Sequence, residues 1–315
     1  MTNPQQILVT GGTGFIGRRL VGHLLQNGHR VTILSRNPSG SGNHPNLSYA
    51  KWDIKNQFIE PWAIETADSI IHLAGAGVVD KPWTKAYKQE IIDSRVNSSR
   101  LLINSIRSKP HHVRNFISSS AIGWYGPDHD PVKPFIETDP ASEAFLGYSC
   151  RLWEESVDEA ASLGIRVCKL RTGIVLGHGG GALTEFRKPL RMGVAAILGS
   201  GKQVVSWIHI DDLCRMFLHC ISHEGLQGAY NAVAPSPVSN KELTIELARA
   251  FRGKFFIPMH VPAFVLKMMM GQRSIEVLKS ATVSAEKIKG TGFTFQYPSI
   301  QSAMEALAKE TTNRV

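Results

Sequence analysis

The sequence predicts an α/β fold: a doubly wound parallel sheet followed by a smaller, mostly helical C-terminal lobe. Three observations carry that prediction. A β-prone run, Ile7-Leu8-Val9-Thr10, passes straight into glycines spaced three apart at Gly11, Gly14 and Gly17. An apolar helical pattern follows at Phe15, Leu20, Val21, Leu24 and Leu25, and a second strand pattern, Arg30–Ser35, arrives at βαβ distance. Strand and helix patterns then alternate through the first two-thirds of the chain, which calls for right-handed crossovers and a parallel sheet.

A strand that turns sharply into a helix leaves free backbone N–H groups and a positive dipole end aimed at one spot. A pyrophosphate fits there, and glycines let its oxygens approach the backbone. The loop therefore reads as the phosphate contact of a Rossmann dinucleotide unit, with Gly11, Thr13, Gly14, Phe15, Ile16 and Gly17 as its contact residues. Further strands are expected at Ser69–Gly75, Asn115–Ser120 and Ile165–Arg171, and helices over Glu90–Ser108 and Arg151–Leu163. Ligands gather at the carboxyl ends of such strands.

Beyond about residue 172 the pattern changes. Gly177–Gly181 is glycine-rich, and helical patterns near Asn240–Phe251 and Ala263–Met270 dominate. The expected division is a nucleotide-binding core over 1–172 and a substrate lobe over 173–315 that covers the strand ends, with room for part of the later chain to return to the core sheet. Ser39-Gly40-Ser41-Gly42 reads as a surface loop.

Composition bounds the function. A hydrophobic content of 43% with 19% charged residues is ordinary for a soluble globular chain of 315 residues. The apolar stretch Val261–Met270 is interrupted by Pro262 and Lys267 and is too short to span a bilayer. No basic segment followed by an apolar core opens the sequence, and the four cysteines (Cys150, Cys168, Cys214, Cys220) form no CxxC pair. Reduced thiols in a cytoplasm are the expectation. The net charge of +9 comes from scattered basic residues without a run, which argues against nucleic acid and for a phosphate pocket. His111-His112 lacks carboxylate or cysteine company, so no metal site is expected.

The second strand decides the cofactor. NAD enzymes usually place an acid there to hold a ribose hydroxyl. No Asp or Glu precedes Asp53 in this chain, and the strand ends in Ser35-Arg36-Asn37. An arginine fork with a serine hydroxyl suits a 2′-phosphate, so NADP(H) is predicted. Asp53 falls where the next strand ends and is expected to meet the adenine.

With these residues in place the chain resembles the extended, epimerase-like branch of the short-chain dehydrogenases/reductases, and within it a subgroup of epimerase family proteins without assigned substrate. The resemblance rests on Thr10-Gly11-Gly12-Thr13-Gly14-Phe15-Ile16-Gly17, His72-Leu73-Ala74-Gly75, Ser118-Ser119-Ser120 followed by Tyr125-Gly126, Arg171–Gly177 and Trp207–Asp212. It also rests on Trp153-Glu154 and Gly292–Phe295. It implies that Leu73, Ala74 and Gly75 join the cofactor site and that Ser120 matches the catalytic serine. It implies a dimer face from the Glu90–Ser108 and Arg151–Leu163 helices.

The departure from the family is chemical. Members of the branch carry Tyr-x-x-x-Lys about 25 residues after the serine, and the lysine lowers the tyrosine pKa for proton exchange with substrate. Here Leu146 stands in the tyrosine position and Cys150 in the lysine position; four residues beyond Tyr148 is Leu152. The remaining catalytic candidates are Ser120, Tyr125, Cys150 and His209. Asp211-Asp212 looks like a carboxylate pair but stands where a helix begins, which favours N-terminal capping. The reading is an NADP(H)-dependent oxidoreductase or epimerase-like enzyme acting on an unknown small molecule, binding neither nucleic acid nor membrane. The alternative is a catalytically silent NADP(H)-binding sensor that acts through a protein partner.

Overall fold

The computed structural model describes residues 3–38, 44–129 and 133–312, so the Ser39–Gly42 stretch lies outside the described residues. The first half of the chain gives β1 (Gln6–Thr10), α1 (Phe15–Gln26), β2 (Arg30–Ser35), β3 (Leu47–Asp53), β4 (Phe58–Ile59), α2 (Pro61–Glu65), β5 (Ser69–His72), α3 (Lys85–Ser108), β6 (Asn115–Ala121), α4 (Phe145–Asp158) and β7 (Arg166–Thr172). β8 (Ile174–Leu176), α5 (Gly181–Arg191), β9 (Val194–Leu198), β10 (Val204–Val205), β11 (Trp207–His209), α6 (Ile210–Ser222), β12 (Gly228–Ala232) and α7 (Asn240–Arg252) follow.

Eight strands form one sheet in the order β12-β7-β6-β5-β1-β2-β3-β4. Every pairing in it is parallel except that of β4 with β3. Both faces are covered, so the strands read as apolar runs rather than alternations. Ile7 and Val9 of β1 enter the core shared with α1 and α6, while Leu8 between them enters the opposite core under α3 and α4. The chain runs outward from β1 through β2 to β3, then returns to place β5 on the other side of β1. That reversal opens a crevice at the carboxyl ends of β1 and β5, where the strands finish level: Thr10 pairs with Leu34 on one side and with His72 on the other.

β12 comes from beyond residue 172 and completes the sheet against β7. The rest of the later chain builds a third core around Leu183, Trp207, Leu243, Leu247 and the helix Ile300–Thr312. No helix among the described residues is long and apolar enough to cross a membrane.

Two helices start earlier than the sequence pattern indicated. α3 begins at Lys85 because the Thr84 hydroxyl accepts the Tyr87 N–H as an N-cap. α4 begins at Phe145 although Gly147 weakens the pattern there. A side chain at Gly147 would collide with the Ser142 carbonyl, so the glycine is what lets α4 lie against that loop.

Candidate functional site

The three loop glycines do different work. Gly11 has φ +68, and a Cβ there would sit 3.0 Å from the Leu73 carbonyl carbon; at Gly17 it would collide with the Gly11 carbonyl oxygen. These two close the turn onto β5 and the helix onto the turn. At Gly14, the N-cap of α1, a Cβ would meet only the Gly11 oxygen, at 3.2 Å, and is otherwise open. No side chain caps α1, so the N–H groups of its first turn, around Phe15 and Ile16, are left to a ligand or water. This cradle fits a phosphate group.

A buried network that the sequence did not reveal holds the crevice walls together. The Thr10 hydroxyl oxygen accepts the N–H groups of Leu73 (3.1 Å) and Ala74 (3.2 Å). Its own hydrogen then goes to His72 Nδ1 at 2.7 Å, which leaves Nε2–H to face Ser98 Oγ at 3.2 Å. Burial pushes the His72 pKa down to about 3, so the ring is neutral and this tautomer is fixed. The loop from Gly11 to Gly17 and the loop from Leu73 to Gly75 are thus parts of one assembly.

On the β2 side, the Ser35 hydroxyl accepts the Asn37 N–H at 3.2 Å. Arg36 is exposed and makes no hydrogen bond or ion pair with the described residues. Asp53 closes its own turn by accepting from the Lys55 and Asn56 N–H groups and from Asn56 Nδ2, which hold its carboxyl below the usual range.

The later chain reaches the glycine loop directly. A Cβ at Gly180 or Gly181 would lie 2.9 or 2.7 Å from the Phe15 ring, which explains the glycine-rich start of α5. Beside it a cavity of about 130 Å³ opens between the end of β6 and the lobe, lined by Ile122, Gly123, Ile174, Phe186 and Val205 among others. A larger, open concavity around Asp68, Arg114 and Arg166 lies at the opposite edge of the sheet, away from the strand ends where such folds bind ligands.

At the β6–α4 junction the structure brings Leu146 and Cys150 to one face. A Cβ on Gly123 would stand 3.2 Å from Leu146 Cβ and 3.8 Å from Cys150 Sγ. Burial pushes the Cys150 thiol up to about 11, so it is neutral and a poor nucleophile. One turn further along, Glu154 is buried. It takes a bidentate pair from Arg171 (2.8 and 3.0 Å), lies 3.7 Å from Lys169, and accepts the Ser120 hydroxyl at 2.7 Å. Ser120 and Arg171 are register partners on β6 and β7, so one carboxylate serves both.

The other catalytic candidates are each held in a hydrogen-bond network. Ser120 is 2% exposed and points into the ion pair. The Tyr125 hydroxyl donates to Asn231 Oδ1 at 2.6 Å and accepts from Arg171 Nη1 at 3.0 Å, with its ring stacked on Phe135. Burial pushes its pKa up to about 12, the wrong direction for proton exchange at neutral pH. His209 is fully buried; its Nδ1 accepts the Asp211 N–H as the N-cap of α6, and burial takes its pKa down to about 4. The cap is therefore His209 and not the aspartates. Asp211 binds Arg19 and His23 of α1, and Asp212 accepts the main-chain N–H groups of Gln296 and Tyr297 and pairs with Arg215.

One residue near the crevice carried no signal in the sequence. Arg95 of α3 places its guanidinium carbon 3.1 Å from where a Gly75 Cβ would be, and 5.0 Å from the Trp153 ring centre. Its place on the helix face beside Gly75 depends on how α3 packs, which spacing alone does not reveal.

Comparison with known proteins agrees with this geometry. A family model described as the NAD dependent epimerase/dehydratase family matches residues 7–232, and one for a domain of unknown function, DUF1731, matches residues 261–307. An epimerase family protein of Staphylococcus saprophyticus is 37% identical over 303 residues, covering 95% of this chain and 98% of that protein. Epimerase family protein YfhF of Bacillus subtilis is 33% identical over 302 residues, covering 96% and 97%. Among solved structures, the human epimerase family protein SDR39U1 with NADPH superimposes with a TM-score of 0.83 at 28% identity, over 96% of this chain and 99% of that one. A nucleoside-diphosphate sugar epimerase from Corynebacterium glutamicum gives 0.74 at 27% identity, over 99% of this chain and 61% of that one.

Proposed function

The chain belongs to the NAD dependent epimerase/dehydratase family, and from that premise we propose that it is an NADP(H)-dependent oxidoreductase for a small molecule with an apolar face. The observation that carries the cofactor choice is Arg36, a free guanidinium at the end of β2 where no acid stands. The glycine cradle would hold the pyrophosphate, Arg36 and Ser35 the 2′-phosphate, and the Leu73–Gly75 loop would border the other half of the dinucleotide. When bound, the cofactor supplies or takes up a hydride. The human relative was solved with NADPH, which supports the same preference here.

The lobe seated on Phe15 would exclude water; the adjoining cavity is mostly apolar, with Ile122, Ile174, Phe186 and Val205 among its lining, and carries Asn240, Glu276 and Lys279 as polar groups, which favours a substrate with an apolar face. Proton exchange is the weak point, because Leu146 and Cys150 hold the tyrosine and lysine positions. A positioned proton donor typically contributes about 10²–10⁴-fold. Turnover of plain ketones and alcohols is therefore expected to be slow, and an activated double bond is the easier substrate. The same observation favours a second reading, a dinucleotide-binding protein without turnover that acts through a partner.

Calorimetry tests the cofactor assignment. NADPH should bind more tightly than NADH, and Arg36→Ala should remove most of the difference. One charge-assisted phosphate contact is worth about 1.5–3 kcal/mol, or roughly ten- to a hundredfold. Equal affinity for the two cofactors would overturn it. A turnover screen of carbonyl and enone acceptors with NADPH separates enzyme from sensor. Rapid oxidation of a simple secondary alcohol would contradict a site that lacks the usual proton donor.

A further inference from the structure

One face of the C-terminal lobe is apolar and uncovered. The strand Ile257–Val261 pairs with β9, setting Ile257 beside Val194 and Met259 beside Ala196. On β9 the alternate residues Ala195 and Ile197 are buried, so Ile257 and Met259 point to the opposite face, away from the core. They are 67% and 53% exposed. The helix Ala263–Met270 follows at once. All its residues except Lys267 are apolar, yet only Leu266 is buried, and Phe264, Met268 and Met269 are among the most exposed apolar side chains of the protein. Single exposed apolar residues need no explanation, but a set of them on adjoining elements marks an interaction surface.

The charge around this face is of one sign. The two segments that build it, residues 186–210 and 247–275, contain no Asp or Glu. They carry Arg191, Arg252, Lys254 and Lys267, all exposed. The acids at their borders are already paired, Glu185 with Lys188, Glu246 with Arg249 and Glu276 with Lys279. Two kinds of occupant are disfavoured. A second copy in a twofold dimer would set the face against itself and bring like charges together. An added strand would need N–H donors along the outer edge of Ile257–Val261. The Ile257 N–H and the Val261 carbonyl both turn inward, to Gly193 and Gly199 at the two ends of β9, so the outer edge falls to the alternate residues, and Pro258 has no N–H to give. A lipid surface needs no backbone pairing. It takes apolar side chains below the headgroups and cations among them.

We propose that this face seats the protein on a bilayer rich in acidic phospholipid. No helix among the described residues can cross a membrane, but a protein surface can lie on one. The proposal replaces the expectation of a chain without a membrane partner, and it stands independently of the dinucleotide reading.

Vesicle sedimentation of the full chain at low salt tests it, with phosphatidylcholine alone and with phosphatidylcholine containing phosphatidylglycerol. The protein should pellet with the mixed vesicles, stay in solution with the neutral ones, and be released by added salt. Each cation near such a surface is worth roughly fivefold in partitioning, so Lys254→Gln/Lys267→Gln should weaken it about twenty- to thirtyfold. Met268→Glu/Met269→Glu should weaken it about a hundredfold or more, because two apolar side chains no longer enter the bilayer. All four side chains are exposed, so melting temperatures should stay near that of wild type. Equal pelleting of wild type and Met268→Glu/Met269→Glu overturns the proposal, since net charge alone would then suffice. Equal binding to neutral and mixed vesicles overturns the assignment to acidic lipid. Wild-type protein left in solution by both vesicles overturns the whole proposal. Light scattering then assigns the face, to a second copy if it shows a dimer that Met268→Glu/Met269→Glu dissolves, and to an acidic protein partner if it shows a monomer.

Discussion

The two ends of the crevice have diverged in kind. At the glycine loop the working groups are main-chain N–H donors at an uncapped helix start, and a Cβ at Gly14 would meet nothing beyond Gly11. At the β6–α4 junction the working groups should be side chains, and here they are a leucine, a neutral thiol and a buried ion pair among Ser120, Glu154 and Arg171. Backbone geometry survives almost any sequence change that keeps the glycines. Side-chain chemistry is lost with two substitutions. On the proposed reading, cofactor binding and acid–base catalysis are separable in this fold, and a chain could keep one without the other.

The sharpest way to break the comparison is at Gly14. Gly14→Val should abolish dinucleotide binding, because the side chain would stand where the phosphate oxygens approach. The protein should still fold, since φ at this residue is negative and only one contact must give. Gly17→Val should instead unfold it, as its Cβ collides with the Gly11 carbonyl. Normal NADPH binding by a folded Gly14→Val protein would remove the phosphate from this loop.

The other end breaks differently. Glu154→Gln leaves Arg171 and Lys169 without their shared carboxylate, and loss of one partner of a buried pair costs about 3–5 kcal/mol. Chemical denaturation should read that loss with little change in NADPH affinity. Ser120→Ala removes one hydrogen bond to the same carboxylate, about 2 kcal/mol. If Ser120→Ala leaves stability intact and cuts turnover, the serine is catalytic after all and the ion pair is incidental.

How much of this was legible follows from what the sequence can encode. β2 was read to its residue bounds, Arg30–Ser35, because a fully buried parallel strand is a plain apolar run between turn signals. The seats of Leu146 and Cys150 followed from the family resemblance and not from helical periodicity, because the helical pattern began only at Arg151 whereas α4 starts at Phe145. The roles of Tyr125 and Ser120 were not legible, since each depends on a distant partner, Asn231 and Glu154; His209 was misread although its partner, the Asp211 N–H, is local. The motif around Arg171 was visible, yet nothing local said that its guanidinium would face Glu154. Arg95 was invisible for the same reason, its meaning coming from Gly75 and Cys150 rather than from α3.

The mildest test uses pH, and it asks whether the buried histidines are structural. His209 has its pKa lowered by burial to about 4 and His72 to about 3; His29 and His219 are also lowered by burial. The unfolded chain protonates these rings near their ordinary value of about 6.5, before the folded chain does. Between pH 6.5 and 4 the unfolded state therefore binds more protons, so stability, fully present above pH 6.5, falls as the solution is acidified. For His209 alone the loss at pH 5 is about 2 kcal/mol. His209→Asn keeps an acceptor for the Asp211 N–H but removes the titration. It also loses the ring contact with Tyr297, whose centroid lies 3.9 Å away, so the variant should melt lower at every pH. The slope is what discriminates: between pH 7 and 5 the melting temperature of His209→Asn should fall less steeply than that of wild type. An unchanged slope would mean that the ring gains its proton in the folded state as easily as in the unfolded one, and His209 would return as a candidate proton carrier.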